Sequence, residues 1–192
     1  MGKIVINQQV SLDGVVQDPT GEEGFRHGGW FLQVGDKDRE EWGRVEFQEA
    51  LGTEALLLGR RSYEYFAERW SSRPGEWADR LRSLPKYVVS STLEDPKWTN
   101  VTVLKGTVVD EVTRLKQEID GDIVVYASYQ LGRTLIEHDL VDELRLIVFP
   151  VVVGAGERLF GETSGKKLFR LTGSRNVGNG LFFLTYAIVR DA

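Results

Sequence analysis

Residues 122–160 read DIVVYASYQLGRTLIEHDLVDELRLIVFPVVVGAGERLF, and this stretch decides the fold. Ile123, Val124 and Val125 form a β-branched run with no polar interruption, the mark of a strand buried on both faces of a sheet. Ala127 and Ser128 follow at once, and Leu131, Leu135 and Ile136 then recur at helical spacing, so the strand runs straight into an amphipathic helix. The first amides of such a helix have no partner within it. With the positive end of the helix dipole they suit an anion, such as a nucleotide phosphate at the carboxyl end of a strand. An ordinary tight turn fits the same residues, because small side chains let a helix pack closely on a sheet. After the helix, Leu140 to Glu143 leads into a long strand, LRLIVFPVVVG. Pro150 has no amide to give a ladder and belongs at an edge, a bulge or a strand end. A glycine-containing loop, residues 154–160, closes the stretch.

Upstream, the same grammar repeats. Residues 3–10 alternate around Ile4, Ile6 and Val10 as a first strand, which stops at Ser11-Leu12-Asp13-Gly14. Gly21, Gly24, Gly28 and Gly29 mark a long irregular loop, where Trp30 and Phe31 either cover a ligand or fold back on the core. Residues 36–51 read as a surface helix with an acidic first turn and solvated carboxylates, carrying Trp42, Val45 and Glu49 on successive turns. Ala55 to Leu58 is a second buried strand. It ends in Gly59-Arg60-Arg61-Ser62 ahead of a helix with Tyr63, Phe66 and Trp70 on its apolar face. Guanidiniums at such a junction grip phosphate by planar forks, or simply lie solvated on the surface. A short helix over 76–84 precedes a strand, residues 87–93, that ends in Ser90, Ser91 and Thr92. Val101 to Leu104 is a short strand, and Val108, Val112, Leu115 and Ile119 share a helix face that delivers the chain to Asp122. Residues 168–177 and 181–189, joined by Gly178-Asn179-Gly180, read as an antiparallel hairpin. Alternating strands and helices predict a largely parallel sheet with helices on both faces.

The chain has 192 residues, enough for one well-buried core, so a single domain over 1–192 is expected. Cysteine is absent and only His27 and His138 carry imidazoles, which excludes disulfides, thiol catalysis and the usual zinc sites; no metal is expected. A formal net charge of −5 argues against nucleic acid as a partner. With no apolar run of the roughly eighteen residues a membrane helix needs, and no signal-peptide pattern at the start, a cytoplasmic protein is expected. Apolar residues in the hairpin, Leu181 to Leu184, with Leu146, Val148 and Val151, exceed what one strand needs for its own core and predict a homodimer.

Three strand ends thus carry potential nucleotide contacts, and their order resembles dihydrofolate reductase. GRRSYEYF, KYVVSSTL and LVDELRLIVFPVVVGAGERLF, with the opening VSLDG, resemble more closely the stand-alone bacterial proteins related to the reductase domain of the bifunctional riboflavin-biosynthesis deaminase-reductase. The resemblance spans essentially the whole chain. It implies a three-layer dihydrofolate reductase-like α/β fold, with a mostly parallel central sheet, helices on both faces and a C-terminal antiparallel hairpin. It also implies NADPH as cofactor and a pyrimidine- or pteridine-like small-molecule substrate, with a nucleotide-binding protein lacking turnover as the alternative. By the same resemblance, Gly59, Arg60, Arg61 and Ser62 meet the cofactor phosphates, Ser90 and Ser91 wall its adenosine side, and Ala127, Ser128, Tyr129, Gln130 and Leu131 form the pyrophosphate turn. Ala127 stands where the family commonly has glycine. Ser11, Leu12, Asp13, Trp30, Gly154, Gly156 and Glu157 fall on the substrate side, with Asp13 as the catalytic candidate. The acidic helix after Trp30 does not reproduce the proton-donating carboxylate pattern of dihydrofolate reductase.

Overall fold

The computed structural model describes residues 1–190. Its spine is one eight-stranded sheet in the order β4-β3-β2-β5-β1-β6-β8-β7. The strands are β1 (Lys3–Ser11), β2 (Thr53–Gly59), β3 (Lys86–Val89), β4 (Val101–Leu104), β5 (Asp122–Tyr126), β6 (Glu143–Phe149), β7 (Leu168–Val177) and β8 (Leu181–Val189). Pairing is parallel from β4 through β6, and β8 and β7 add to β6 as an antiparallel extension. The helices are α1 (Asp36–Leu51), α2 (Arg60–Trp70), α3 (Glu76–Ser83), α4 (Val108–Glu118) and α5 (Tyr129–Glu137), with a 3-10 turn at Trp30–Gln33.

Side-chain alternation divides the core between the two faces of the sheet. Ile4, Ile6, Leu57, Ile123, Val125 and Leu144 point to one face and pack under Val112 and Leu115 of α4 and Leu131, Leu135 and Ile136 of α5. On the other face, Leu56, Leu58, Val88 and Val124 pack under α2 and α3. Ile147, Phe149 and Phe183 pack under Trp42 of α1 and Trp30. Every parallel strand therefore delivers its carboxyl end to the same edge of the sheet, where the candidate turns lie.

Several expectations need correction. The third strand stops at Val89, and Ser90 to Thr92 lie beyond it. The Ser90 hydroxyl accepts from the amides of Thr92 and Leu93 (3.2 and 3.0 Å), a side-chain turn that takes the backbone out of the ladder. The strand read as LRLIVFPVVVG ends at Phe149, since Pro150 cannot donate and Val151 turns back to donate to the Phe149 carbonyl. The carboxylates of α1 are not all solvated. Asp38 accepts from the Asn179 amide in the hairpin turn, and Glu49 pairs with Arg145 at 2.9 Å and Arg175 at 3.6 Å, because α1 lies across β6 and the hairpin. Leu181 and Phe183 are buried beneath α1, so only part of the apolar hairpin set faces outward. No helix among the described residues is long and apolar enough to cross a membrane.

Candidate functional site

β2 and β5 are neighbours in the sheet, and each passes directly into a helix. The two turns are stitched together: the Ser128 hydroxyl accepts from the Gly59 amide (3.0 Å), and the Ser62 hydroxyl accepts from the Ser128 amide (2.9 Å). Neither α2 nor α5 has a side-chain cap at its N-terminus, so the leading amides of two adjacent helices are left for an outside acceptor. Arg60 crosses to the next turn, donating to Thr92 Oγ1 at 2.6 Å while pairing with Glu64 at 2.8 Å. Arg61 is mostly exposed and has one long contact, 3.4 Å, with Glu23. Ser90, Ser91 and Thr92 thus reach the same edge as Gly59 to Ser62 and Ala127 to Gln130. Ser90's oxygen is used internally, Ser91 is exposed, and Leu131 points into the core. Ala127 and Ser128 both have φ near +50°, a left-handed conformation that costs a residue with a Cβ roughly 1–2 kcal/mol.

The proposed substrate side is built around Asp13. Its Oδ1 accepts from the Ser11 hydroxyl (2.7 Å) and the Val153 amide (3.0 Å), and its Oδ2 accepts from the Gly154 amide (2.9 Å). The Ser11 hydroxyl, against a smaller opposing effect of burial, and then the two amides hold the carboxyl down to about 2. Asp13 therefore latches the end of β1 to the segment after Pro150. Residues 15–29 continue from there across the sheet edge. Gln17 accepts from the Glu157 amide (3.0 Å) and the Phe25 ring sits against Gly156, whereas Thr20 and Glu22 reach Tyr65 of α2 (3.2 and 2.9 Å) and Glu22 also pairs with Arg69. Asp18, almost fully buried, holds this loop by accepting from the Glu23 and Phe25 amides. Glu157 pairs with Arg133 at 2.9 Å, and Leu12 is exposed. Trp30 is 1 % exposed; its ring meets Phe149 edge-on and its Nε1 donates to the Gln17 carbonyl, so it supports the wall from behind.

Residues 2–183 match the family model of the RibD C-terminal domain. The chain belongs to that family. YyaP, an uncharacterized protein of Bacillus subtilis, is 25 % identical over 189 residues, which cover 96 % of this chain and 94 % of YyaP. Among solved structures, a putative riboflavin biosynthesis protein from Shewanella sp. PV-4 superposes with a TM-score of 0.77 at 23 % identity, covering 98 % of this chain and 99 % of that one. Dihydrofolate reductase from Enterococcus faecalis, complexed with NADP(H), gives 0.59 at 14 % identity over 98 % and 97 % of the two chains. The Thermotoga maritima diaminohydroxyphosphoribosylaminopyrimidine deaminase/5-amino-6-(5-phosphoribosylamino)uracil reductase gives 0.66 at 13 % identity, over 98 % of this chain and 57 % of that longer one. At these identities the structural likeness is one of fold, and it is the three-layer dihydrofolate reductase-like α/β fold.

Within this RibD C-terminal-type fold, sequence reasoning missed four residues on the α1 side of the sheet. Asn7, Trp42 and Tyr126 are 3 %, 1 % and 4 % exposed, and Asn7 Nδ2 and Trp42 Nε1 have no hydrogen-bond partner among the described residues. Glu46, one turn beyond Trp42 on α1, is half-buried, and burial alone pushes its carboxyl up to about 7. A signal was available: Asn7-Gln8-Gln9 is a polar run in the middle of a central strand, where apolar residues belong.

Proposed function

We propose that the protein is an NADPH-dependent reductase of a pyrimidine- or pteridine-like substrate, with reduction of 5-amino-6-(5-phosphoribosylamino)uracil as its nearest named chemistry. In this reading it is a single dihydrofolate reductase-like domain, working in the cytoplasm as a homodimer. The observation that carries the reading is the convergence of two uncapped helix N-termini, stitched through Ser62 and Ser128 and flanked by Arg60 and Arg61. That donor set fits a ligand with a pyrophosphate and a further phosphate. Gly59 to Ser62 would take the phosphates, Ser90 and Ser91 the adenosine side, and Ala127 to Leu131 the pyrophosphate. When bound, the nicotinamide supplies the hydride. The protein's part is to orient the two reactants and keep water out. Ser11, Leu12, Asp13, Gly154, Gly156 and Glu157 would shape the substrate side, with Trp30 behind them.

The test is loss of reduced-cofactor absorbance with the aminouracil ribosyl phosphate, dihydrofolate and quinoid pterins as acceptors. Asp13→Ala should slow any reduction about tenfold or more, because it releases the segment that positions the substrate, and leave the NADPH Kd within about twofold. An unchanged rate would remove Asp13 from the substrate side. Binding without turnover remains the second reading, favoured by one observation: both Asp13 oxygens already serve the protein's own hydroxyl and amides. Tight NADPH binding with none of these acceptors reduced would support it.

Ala127→Gly bears on both readings. It relieves the left-handed strain noted above, less the roughly 0.4–1 kcal/mol that glycine adds to the freedom of the unfolded chain, so a net gain of up to about 1.6 kcal/mol in urea melts is expected. NADPH should bind several-fold tighter, since the amides behind the turn remain and the methyl is gone. A loss of stability would contradict the backbone conformation of this turn.

For the dimer, the register places Val148 beside Phe182, Leu146 beside Leu184 and Leu171 beside Tyr186 on one sheet face. Phe182 and Leu171 are half exposed. A second copy covering this face is expected to keep light-scattering mass at twice the chain mass down to low micromolar concentration, and a monomer at high micromolar concentration would reject it.

A further inference from the structure

The chain holds asparagine at positions 7, 100, 176 and 179. Gln8, Val101 and Val177 follow the first three, and Gly180 follows the last. The next residue governs how readily an asparagine loses ammonia, because its backbone nitrogen must reach the side-chain carbonyl carbon and a side chain obstructs that approach. Glycine has none. Surroundings separate the four further. Asn7 is buried, the Asn100 side chain donates to the carbonyls of Arg82 and Ser83 (3.2 and 3.3 Å), and Asn176 stands in the β7 ladder opposite Phe182. Asn179 is exposed in the turn that joins β7 to β8. Its backbone amide is held by Asp38 at 2.6 Å, but no bond among the described residues holds its side-chain amide or the Gly180 N–H. The Gly14 amide after Asp13, by contrast, is tied to the Ser11 carbonyl at 3.0 Å.

We propose that Asn179 is a site of spontaneous deamidation, and that its product loosens the hairpin turn from the first turn of α1. The Gly180 nitrogen attacks the Asn179 side-chain carbonyl carbon and forms a C–N bond. The Cγ–Nδ2 bond breaks, and ammonia leaves with the proton that the Gly180 nitrogen gives up, which closes a succinimide ring. Water then opens the ring at either carbonyl. One opening leaves aspartate at 179; the other leaves isoaspartate, with the chain routed through the former side chain and longer by a methylene. Both products carry a carboxylate where asparagine was neutral.

That charge arrives at a crowded place. Asp38 Oδ1 is the acceptor for the Asn179 amide, and a Cβ added to Gly178 would stand 2.1 Å from the same oxygen, so the turn folds directly over Asp38. A carboxylate beside Asp38 repels it, and isoaspartate also shifts the amide that Asp38 accepts from. Asp38 lies in the first turn of α1, whose N-cap, Gly35, supplies no side-chain bond of its own. Farther along, α1 sets Trp42 against Phe183 of β8 at 5.8 Å, so the contact at Asp38 pins one end of a packed helix. None of this depends on the reductase reading.

The experiment holds full-length protein at pH 6 and pH 8, warm, for two weeks and then digests it with trypsin. Cleavage after Arg175 and Arg190 releases residues 176–190, which carry Asn176 as an internal control. The mass gain of a nitrogen-for-oxygen exchange is expected at Asn179, faster at pH 8 because the attacking nitrogen must shed its proton, with isoaspartate among the products and Asn7, Asn100 and Asn176 unchanged. Gly180→Ala should slow the exchange about tenfold or more, and its methyl is accommodated, since it would stand 3.4 Å from Asp38 Oδ2 and 3.6 Å from the Pro150 ring. The aged parent should unfold at lower urea than the fresh protein, and aged Gly180→Ala should not. Asn179→Asp installs the charge without the methylene and should lower the urea midpoint by itself, with Asp38→Asn recovering part of the loss. An unmodified Asn179 after two weeks at pH 8, or exchange in Gly180→Ala at the parent rate, overturns the site. A parent modified at Asn179 that unfolds at the same urea concentration as the fresh protein overturns the link to α1.

Discussion

Arg145→Met is expected to destabilise the protein by about 3–5 kcal/mol, the range for removing one partner of a buried charge network. The Arg145 side chain is 15 % exposed and bonds to Glu49 of α1 (2.9 Å), Asp122 of β5 (2.6 Å) and Glu143 of β6 (2.5 Å). Methionine retains much of the aliphatic volume and loses the cation, leaving three carboxylates facing one another where α1 crosses the sheet. The cost therefore comes from uncompensated charge more than from a cavity. One signature distinguishes these causes: Glu143→Gln added to Arg145→Met removes one uncompensated charge and should recover part of the loss, as measured by urea melts at pH 7. A loss below about 1 kcal/mol would mean that the network behaves like an exposed ion pair.

That network also shows where reading the chain in one dimension ran out. The strands and helices were legible because each carries its own period: Ile123 to Val125 for a buried strand, Leu131, Leu135 and Ile136 for the helix behind it, and Gly178 to Gly180 for the hairpin turn. The parallel order followed from their alternation. The partners of the α1 carboxylates were not legible, because Asp38, Glu46 and Glu49 acquire them from Asn179, from burial and from Arg145, which lie far off in sequence. Local chemistry also displaced local propensity at Ser90, whose hydroxyl ends a strand that β-branched residues alone would have extended. At the site, the turns at Gly59 and Ala127 were visible as strand-to-helix junctions, but their stitching through Ser62 and Ser128 requires β2 and β5 to be neighbours. Asn7 is the reverse case. Its polarity was visible, but its place between two apolar clusters was not.

NADPH is expected to bind at least about tenfold more tightly than NADH, with Arg61 supplying most of the difference, since a hydrogen bond to a charged group contributes about 1.5–3 kcal/mol. The two arginines of the turn are not equivalent. Arg60 is engaged on both sides, with Glu64 at 2.8 Å and Thr92 at 2.6 Å, so drawing it to a phosphate breaks contacts already made. Arg61 has only the 3.4 Å contact with Glu23 and is the freer guanidinium. Arg61→Ala should therefore weaken NADPH by roughly tenfold to a hundredfold and leave NADH within about twofold, while Arg60→Ala should have a smaller and less selective effect. Glu23→Gln tests the competition directly: removing the carboxylate that shares Arg61 with the incoming phosphate should tighten NADPH a few-fold and leave NADH unchanged. Because the Arg61 contact is exposed, added salt should erode the preference before it erodes binding itself. Calorimetric titration of both dinucleotides against the parent and the three variants measures each of these differences. Equal affinity for NADPH and NADH in the parent would take the second phosphate away from this turn. A preference that survives Arg61→Ala would move it to Arg60, where Thr92 would have to give up its donor.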